Sequence, residues 1–314
     1  MGRWDITGPD RIHSAEIRVP AGEPRKQSNN ASPSVGRGGN SDFSSEEIQS
    51  RERPATQRTA RAKERRIKHQ DRGITYSLRS SEIEAMADVG RFRAVDVQDL
   101  ARFVYQGDHA RMKYDLDNLR GQRLIEQKTI LGTHRAARRI LTLTERGERI
   151  ARKIGDLPRE QRIYHGLVKP KELDHDADLY KVYQKAAKQV RERGGKVVRV
   201  RLDFELKESL NRAKEAAGHL PKDMRERWLA AVADEYGLKA EGAAIHLPDL
   251  QIEYQVQDDR TIRENLELVS RNYRQQGIQS KAAAGFTMYA RAGETARIRR
   301  ALRDTGLIRE VLSL

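Results

Sequence analysis

Apolar residues return every three or four positions from about residue 80 to 122, the spacing that gives a helix one buried face. Ile83, Met86 and Val89 mark a first helix, with Ser80 and Ser81 as candidate N-caps and Gly90 as its end. Val97, Leu100, Ala101 and Val104 mark a second, from Ala94 to Tyr105. Gln106-Gly107-Asp108 is a tight turn whose aspartate caps a third, from about His109 to Gln122, with Met112, Leu116 and Leu119 inward. The pattern then changes. Leu124 to Leu131 and Arg139 to Leu143 have strand composition and predict a hairpin with residues 132–138 at its tip. Thr144 opens another helix that ends near Gly155. Short helices followed by a basic hairpin and a closing helix are the plan of a winged helix-turn-helix.

Pro158 to Pro170 reads as a linker. Beyond it, a helix is predicted from His175 to Gly194, then a strand from Lys196 to Phe204. Two helical stretches lie between Glu205 and Tyr236. Strand-like segments follow at Ile245 to Gln255, Glu264 to Ser270 and Gly285 to Ala290, and a last helix covers Glu294 to Leu312. Interleaved strands and helices predict an α/β domain. Residues 1–72 lack periodicity and read as a disordered tail, basic from Arg51 onward. That basic stretch either becomes a helix on a polyanion or stays solvated. The expected organisation is a tail (1–72), a winged helix (73–157) and an α/β domain (158–314).

Charge narrows the partner class. The 314 residues carry a net +15 with a pI near 10.0, which favours nucleic acid over other partners. With no cysteine, disulfides, thiolate zinc sites and a cysteine nucleophile are excluded. No run approaches a membrane span and no apolar signal segment opens the chain. The expectation is a cytoplasmic protein, associated with the nucleoid or a plasmid.

On the third helix, Arg111, Lys113, Asn118 and Arg120 carry donors and cations suited to base edges and phosphates. On the wing, Arg135, Arg138 and Arg139 suit backbone or minor-groove contact. The expected partner is double-stranded DNA, with a homodimer or other DNA-processing proteins as further partners. The alternative is a winged helix that holds a protein, with these cations merely solvated.

In the second domain, Asp249 and Glu267 sit on predicted strands about 18 positions apart. Carboxylates on adjacent strands can share a Mg²⁺ that activates water against a phosphodiester. That spacing, with Pro248-Asp249, resembles the PD-(D/E)xK nuclease core. The core also needs a lysine two residues after its second acid, where this chain has Val269. Arg271 and Lys196 are candidate substitutes from a neighbouring strand. Asp176 and Asp178 are candidates for an additional helix acid, and His175 for a metal ligand or an ordinary surface histidine. No phosphate-binding loop, dinucleotide fingerprint, serine-hydrolase elbow or zincin motif occurs, so no cofactor is expected beyond Mg²⁺ at an active Asp249–Glu267 site.

Leu141 to Gly147 resembles the strand-to-helix exit of MarR-like winged helices, and Leu119 to Leu124 the end of their recognition helix. The order of features, through His175, Asp176, Leu179, Pro248, Asp249, Glu267 and Tyr273, resembles the replication-relaxation family of plasmid and mobile-element proteins. The resemblance implies a winged helix followed by a degenerate restriction-endonuclease-like domain. The expectation is DNA binding in replication, relaxation or transcription control with an inactive nuclease-like domain; the alternative, from the carboxylates, is a metal-dependent DNA endonuclease using Asp249 and Glu267.

Overall fold

The computed structural model describes residues 64–131, 137–166, 170–241, 244–257, 260–270, 273–291, 293–303 and 311–313. Its first element corrects an expectation. Residues 64–72 were expected to continue the tail, but Ile67–Asp71 forms strand β1, antiparallel to β2 (Ile74–Leu78). The cause is local: Arg72 and Gly73 both have positive φ (47° and 78°), and a two-residue turn of that kind matches the twist of paired strands.

Next come α1 (Ser80–Phe92), β3 (Val95–Asp96), α2 (Val97–Phe103) and α3 (His109–Gly121). They lead into β4 (Ile125–Leu131), β5 (Ala137–Leu143) and α4 (Glu145–Ile154). The sheet order is β3-β5-β4, all antiparallel, so this region is a winged helix-turn-helix. Two boundaries differ from the periodic reading. Gly90 lies inside α1 rather than ending it. Its role is packing: a Cβ there would lie 2.5 Å from Ile163 Cγ2 and 2.8 Å from Leu143 Cδ1. The predicted second helix loses its first turn because Val95 pairs with Leu141, and Asp96 then caps α2 by accepting from Gln98 N at 2.9 Å.

The motif from Thr144 to Gly147 has a physical basis. Thr144 Oγ1 accepts from Gly147 N at 3.0 Å and so caps α4. A Cβ on Gly147 would lie 1.9 Å from the Leu124 carbonyl oxygen, so the start of α4 can seat on β4 only through a glycine.

The second half runs α5 (Pro170–Glu192), β6 (Lys196–Leu202), α6 (Asp203–Ala216) and α7 (Lys222–Glu235). A small ribbon, β7 (Ala240–Glu241) and β8 (Ala244–Ile245), precedes β9 (Leu250–Gln255) and β10 (Thr261–Val269). The order closes with α8 (Gln275–Ala283), β11 (Thr287–Ala290), α9 (Thr295–Arg303) and β12 (Val311–Ser313). The main sheet has the order β12-β11-β10-β9-β6. Strands β6, β9 and β10 form an antiparallel meander, and β11 and β12 add in parallel. The fold is therefore α/β, as expected. The single closing helix predicted over 294–312 is corrected: α9 ends at Arg303, and Val311–Ser313 pairs with β11. Helix α8 had no counterpart in the sequence reading.

The winged helix and the main sheet share one hydrophobic core. Phe92 of α1 packs edge-on against Tyr180 of α5 with ring centroids 5.3 Å apart, and against Tyr183 at 4.9 Å. Tyr180 donates its hydroxyl to the buried Asp88 at 2.8 Å. No helix among the described residues is long and apolar enough to cross a membrane.

Candidate functional site

Helix α3 starts where Asp108 accepts from Arg111 N at 3.0 Å, and it buries Met112, Leu116 and Leu119. Residues beside that stripe point into a polar seam. Arg111 donates to Glu64 and to Ser81 Oγ, each at 3.0 Å, and lies 3.8 Å from Asp115. Asn118 donates to Ser77 O at 3.0 Å and to Glu82 at 2.9 Å. Both side chains hold α3 to α1 and to the β1–β2 hairpin, so neither is free to reach a base in this arrangement. Burial raises the Asp115 carboxyl, opposed by the bond from Ser81.

The outer face of α3 presents Lys113, Tyr114, Asp117 and Arg120 to solvent. Arg120 pairs with Asp117. Tyr114 is 58% exposed, yet its ring lies under two guanidinium groups, Arg66 at 4.6 Å and Arg79 at 5.2 Å. Arg66 is held charged chiefly by its bond to Glu82.

The wing divides its arginines. Arg139 is exposed, with no ion pair among the described residues. Arg138 faces inward. It reaches Asp96 at 2.8 Å, Asp174 at 2.5 Å, Asp178 at 3.3 Å and Asp99 at 3.7 Å. Burial works against its charge, but the bonds to Asp96 and Asp174 outweigh it. Arg291 and Lys181 complete this network, which fastens the wing to α5. Asp178, a candidate helix acid, belongs here and not beside Asp249. Arg135 lies outside the described residues.

The second cluster gathers at one end of the main sheet. Asp249 precedes β9, and Glu267 lies near the end of β10. The two acids interlock through backbone: Asp249 N donates to Glu267 Oε2 at 3.2 Å, and Leu268 N donates to Asp249 Oδ2 at 2.9 Å. Glu267 is fully buried. Its Oε1 accepts from both Lys281 Nζ and the Tyr273 hydroxyl. Burial pushes its carboxyl up to about 7, helped by the charge of Asp249 and opposed by Lys281. On the other side, His175 Nε2 lies 3.6 Å from Asp249 Oδ2 and His175 Nδ1 3.6 Å from Asp176. Burial alone would lower the imidazole, but Asp176 and Asp249 take it up to about 10, so it is a cation. Asp203, first in α6, is raised by its own burial and by the charges of Asp249 and Asp176.

Lys281 was absent from the sequence candidates. Val269 explains both its absence and its presence. Val269 packs in a cluster with Ile278 and Ala282 of α8, and the helix seated on it delivers Lys281 to Glu267. Of the proposed substitutes, Lys196 pairs in register with Gln255, whereas Leu202 pairs with Leu250. Six residues of strand, about 20 Å, therefore separate it from Asp249. Arg271 lies outside the described residues.

The donor set decides how well a divalent cation suits this cluster. Both oxygens of Glu267 are already engaged, and Asp249 Oδ2 accepts from backbone. Among the described residues, no group of three or more His, Cys, Asp or Glu side chains is placed to hold a metal ion. As arranged, the residues do not fit a divalent cation.

No family model matches this chain, and no curated protein matches it. Among solved structures, the chain is similar to Bacillus subtilis PadR in complex with operator DNA, with 13% identity and a TM-score of 0.19, over 49% of this chain and 92% of that one.

Proposed function

We propose that this protein binds duplex DNA through its winged helix and acts in plasmid or mobile-element replication, relaxation or transcription control. The observation that carries the reading is the outer face of α3. There Lys113 and Arg120 flank Tyr114, itself crowned by Arg66 and Arg79, on a chain of net charge +15. The exposed Arg139 adds a cation on the wing. Phosphate contacts from such cations supply affinity, and the helix supplies whatever sequence preference exists. Arg111, Asn118 and Arg138 act indirectly, by fixing the helix and the wing in place. A homodimer, matched to a two-fold DNA site, belongs to the same proposal.

The α/β domain is read as nuclease-type in topology and non-cleaving. Its order α5–β6–β9–β10–α8–β11, with Asp249 and Glu267 on adjacent strands, supports the first part. The saturated carboxylates support the second. The rival reading, a Mg²⁺-dependent endonuclease at Asp249 and Glu267, gains from one observation: α8 brings Lys281 to the acid that Val269 leaves without a lysine. Incubation with labelled duplex, single-stranded and supercoiled DNA, in Mg²⁺, Mn²⁺ or EDTA, separates the two. Retarded, intact duplex is expected. Cutting that requires metal and disappears in Asp249→Ala and Glu267→Ala would establish the enzyme.

A further inference from the structure

We infer that the Lys281 ammonium occupies the cation position of the Asp249–Glu267 site, so that the site is closed to divalent metal by a side chain of its own. The inference is independent of whether the winged helix binds DNA.

The surroundings of Lys281 are those of a bound cation. Its Nζ meets three oxygens of different kinds: the Glu267 carboxylate, the Leu247 carbonyl at 3.1 Å and the Tyr273 hydroxyl at 3.4 Å. Carboxylate and backbone carbonyl are the ligands a hard divalent ion takes, usually with one or two carboxylates and several waters. An ammonium has three donors and no acceptor, so the same oxygens satisfy it. Its ammonium lies over the rings of Tyr273 and Phe286, with Nζ 5.6 and 5.8 Å from their centroids. Those rings shield the pair from water and strengthen it.

Glu267 needs such a cation: it is wholly buried and joined to Asp249 through a backbone bond, and while His175 lies 3.6 Å from Asp249, Lys281 is the cation that pairs with Glu267. A cation delivered on a helix seated by Ile278 and Ala282 is part of the fold and always present. A metal would have to displace it, breaking the bonds to Glu267 and Leu247 and leaving a partly buried ammonium without acceptors. Removing the ammonium should open the oxygens to a divalent ion.

The test uses the full chain and Mn²⁺ alone as probe. Wild type, D249N, K281Q and K281Q combined with D249N are titrated with Mn²⁺. Free Mn²⁺ is read by electron paramagnetic resonance and melting temperature by circular dichroism. Wild type is expected to show no saturable site and no shift. K281Q is expected to melt lower in EDTA, then to bind about one Mn²⁺ and gain about 5–8 °C near 100-fold excess over Kd. The double variant is expected to gain nothing. If K281Q does not fold in EDTA, Mn²⁺ should restore its native spectrum. Saturable Mn²⁺ binding by wild type that is lost in D249N overturns the inference. So does a K281Q protein that Mn²⁺ neither binds nor rescues.

Discussion

Lys281 and Glu267 lie 14 positions apart in the chain and meet as an ion pair, the carboxylate wholly buried and the ammonium side chain 20% exposed. Removing one partner of such a pair leaves the other charge uncompensated, and that is costlier than the pair's net worth. Lys281→Met should destabilise the protein by about 3 kcal/mol at pH 8 in EDTA. Glu267→Gln should cost less, because an amide oxygen still accepts from Tyr273 or Asp249 N and Lys281 is partly hydrated. Urea midpoints measure both, and equal losses would count against a buried carboxylate that needs its cation.

Neighbouring arginines on the wing should behave oppositely. Arg138 holds four carboxylates together, so Arg138→Ala should cost about 3 kcal/mol of stability. Arg139→Ala should change stability by less than about 0.5 kcal/mol and weaken DNA binding, with the salt slope reduced by about one. Paired denaturation and binding titrations check the assignment.

Asp99 predicts a pH dependence. Burial pushes its carboxyl up to about 6, with Asp96 and Asp178 raising it and Lys181 and Arg138 opposing. The unfolded value is about 3.9. Between those values the folded chain holds a proton that the unfolded chain has released, so stability falls as pH rises from about 4 to 6. The contribution is up to about 3 kcal/mol. Asp99→Asn should flatten that part of the stability–pH curve and leave the region above pH 7 with an unchanged slope.

Gly147→Ala should be among the most damaging small substitutions. The added Cβ falls 1.9 Å from a backbone oxygen, not a flexible side chain, so α4 must shift off β4. The expected loss is about 3 kcal/mol, at the upper end of overpacking. Gly121→Ala, with open space at its Cβ, is the control and should be near neutral. Thermal melts of the two variants check the contrast.

The sequence carries the winged helix clearly because its elements are local. Three amphipathic helices, an aspartate cap and a hairpin each leave a short-range signature, and Asp108 and Thr144 each cap the helix that starts beside them. The roles of the third-helix side chains were partly legible. Arg111, Asp115 and Asn118 follow at i, i+4 and i+7 along the edge of the apolar stripe, whereas Lys113, Asp117 and Arg120 form the opposite row. Arg138 and Arg139 alternate across a strand, so one had to face inward, but only the distant Asp174 and Asp178 decide which. Lys281 was hidden for a different reason. Its helix is short and weakly patterned, and its partner lies across a strand–helix connection, so no window around Glu267 contains it. The β1–β2 hairpin was hidden in charge: its basic composition masks a turn set by Arg72 and Gly73.

Duplex-DNA binding by the outer face of α3 and the wing is tested most directly by fluorescence anisotropy with a labelled duplex, titrated from about 50 to 200 mM salt. The wild-type protein is compared with the Lys113→Ala, Arg120→Ala and Arg139→Ala triple variant. Binding that weakens on the order of 100-fold or more across that range is the expected result, with a shallower salt slope in the variant at unchanged melting temperature. Affinity that ignores salt, or that the variant retains in full, would contradict it.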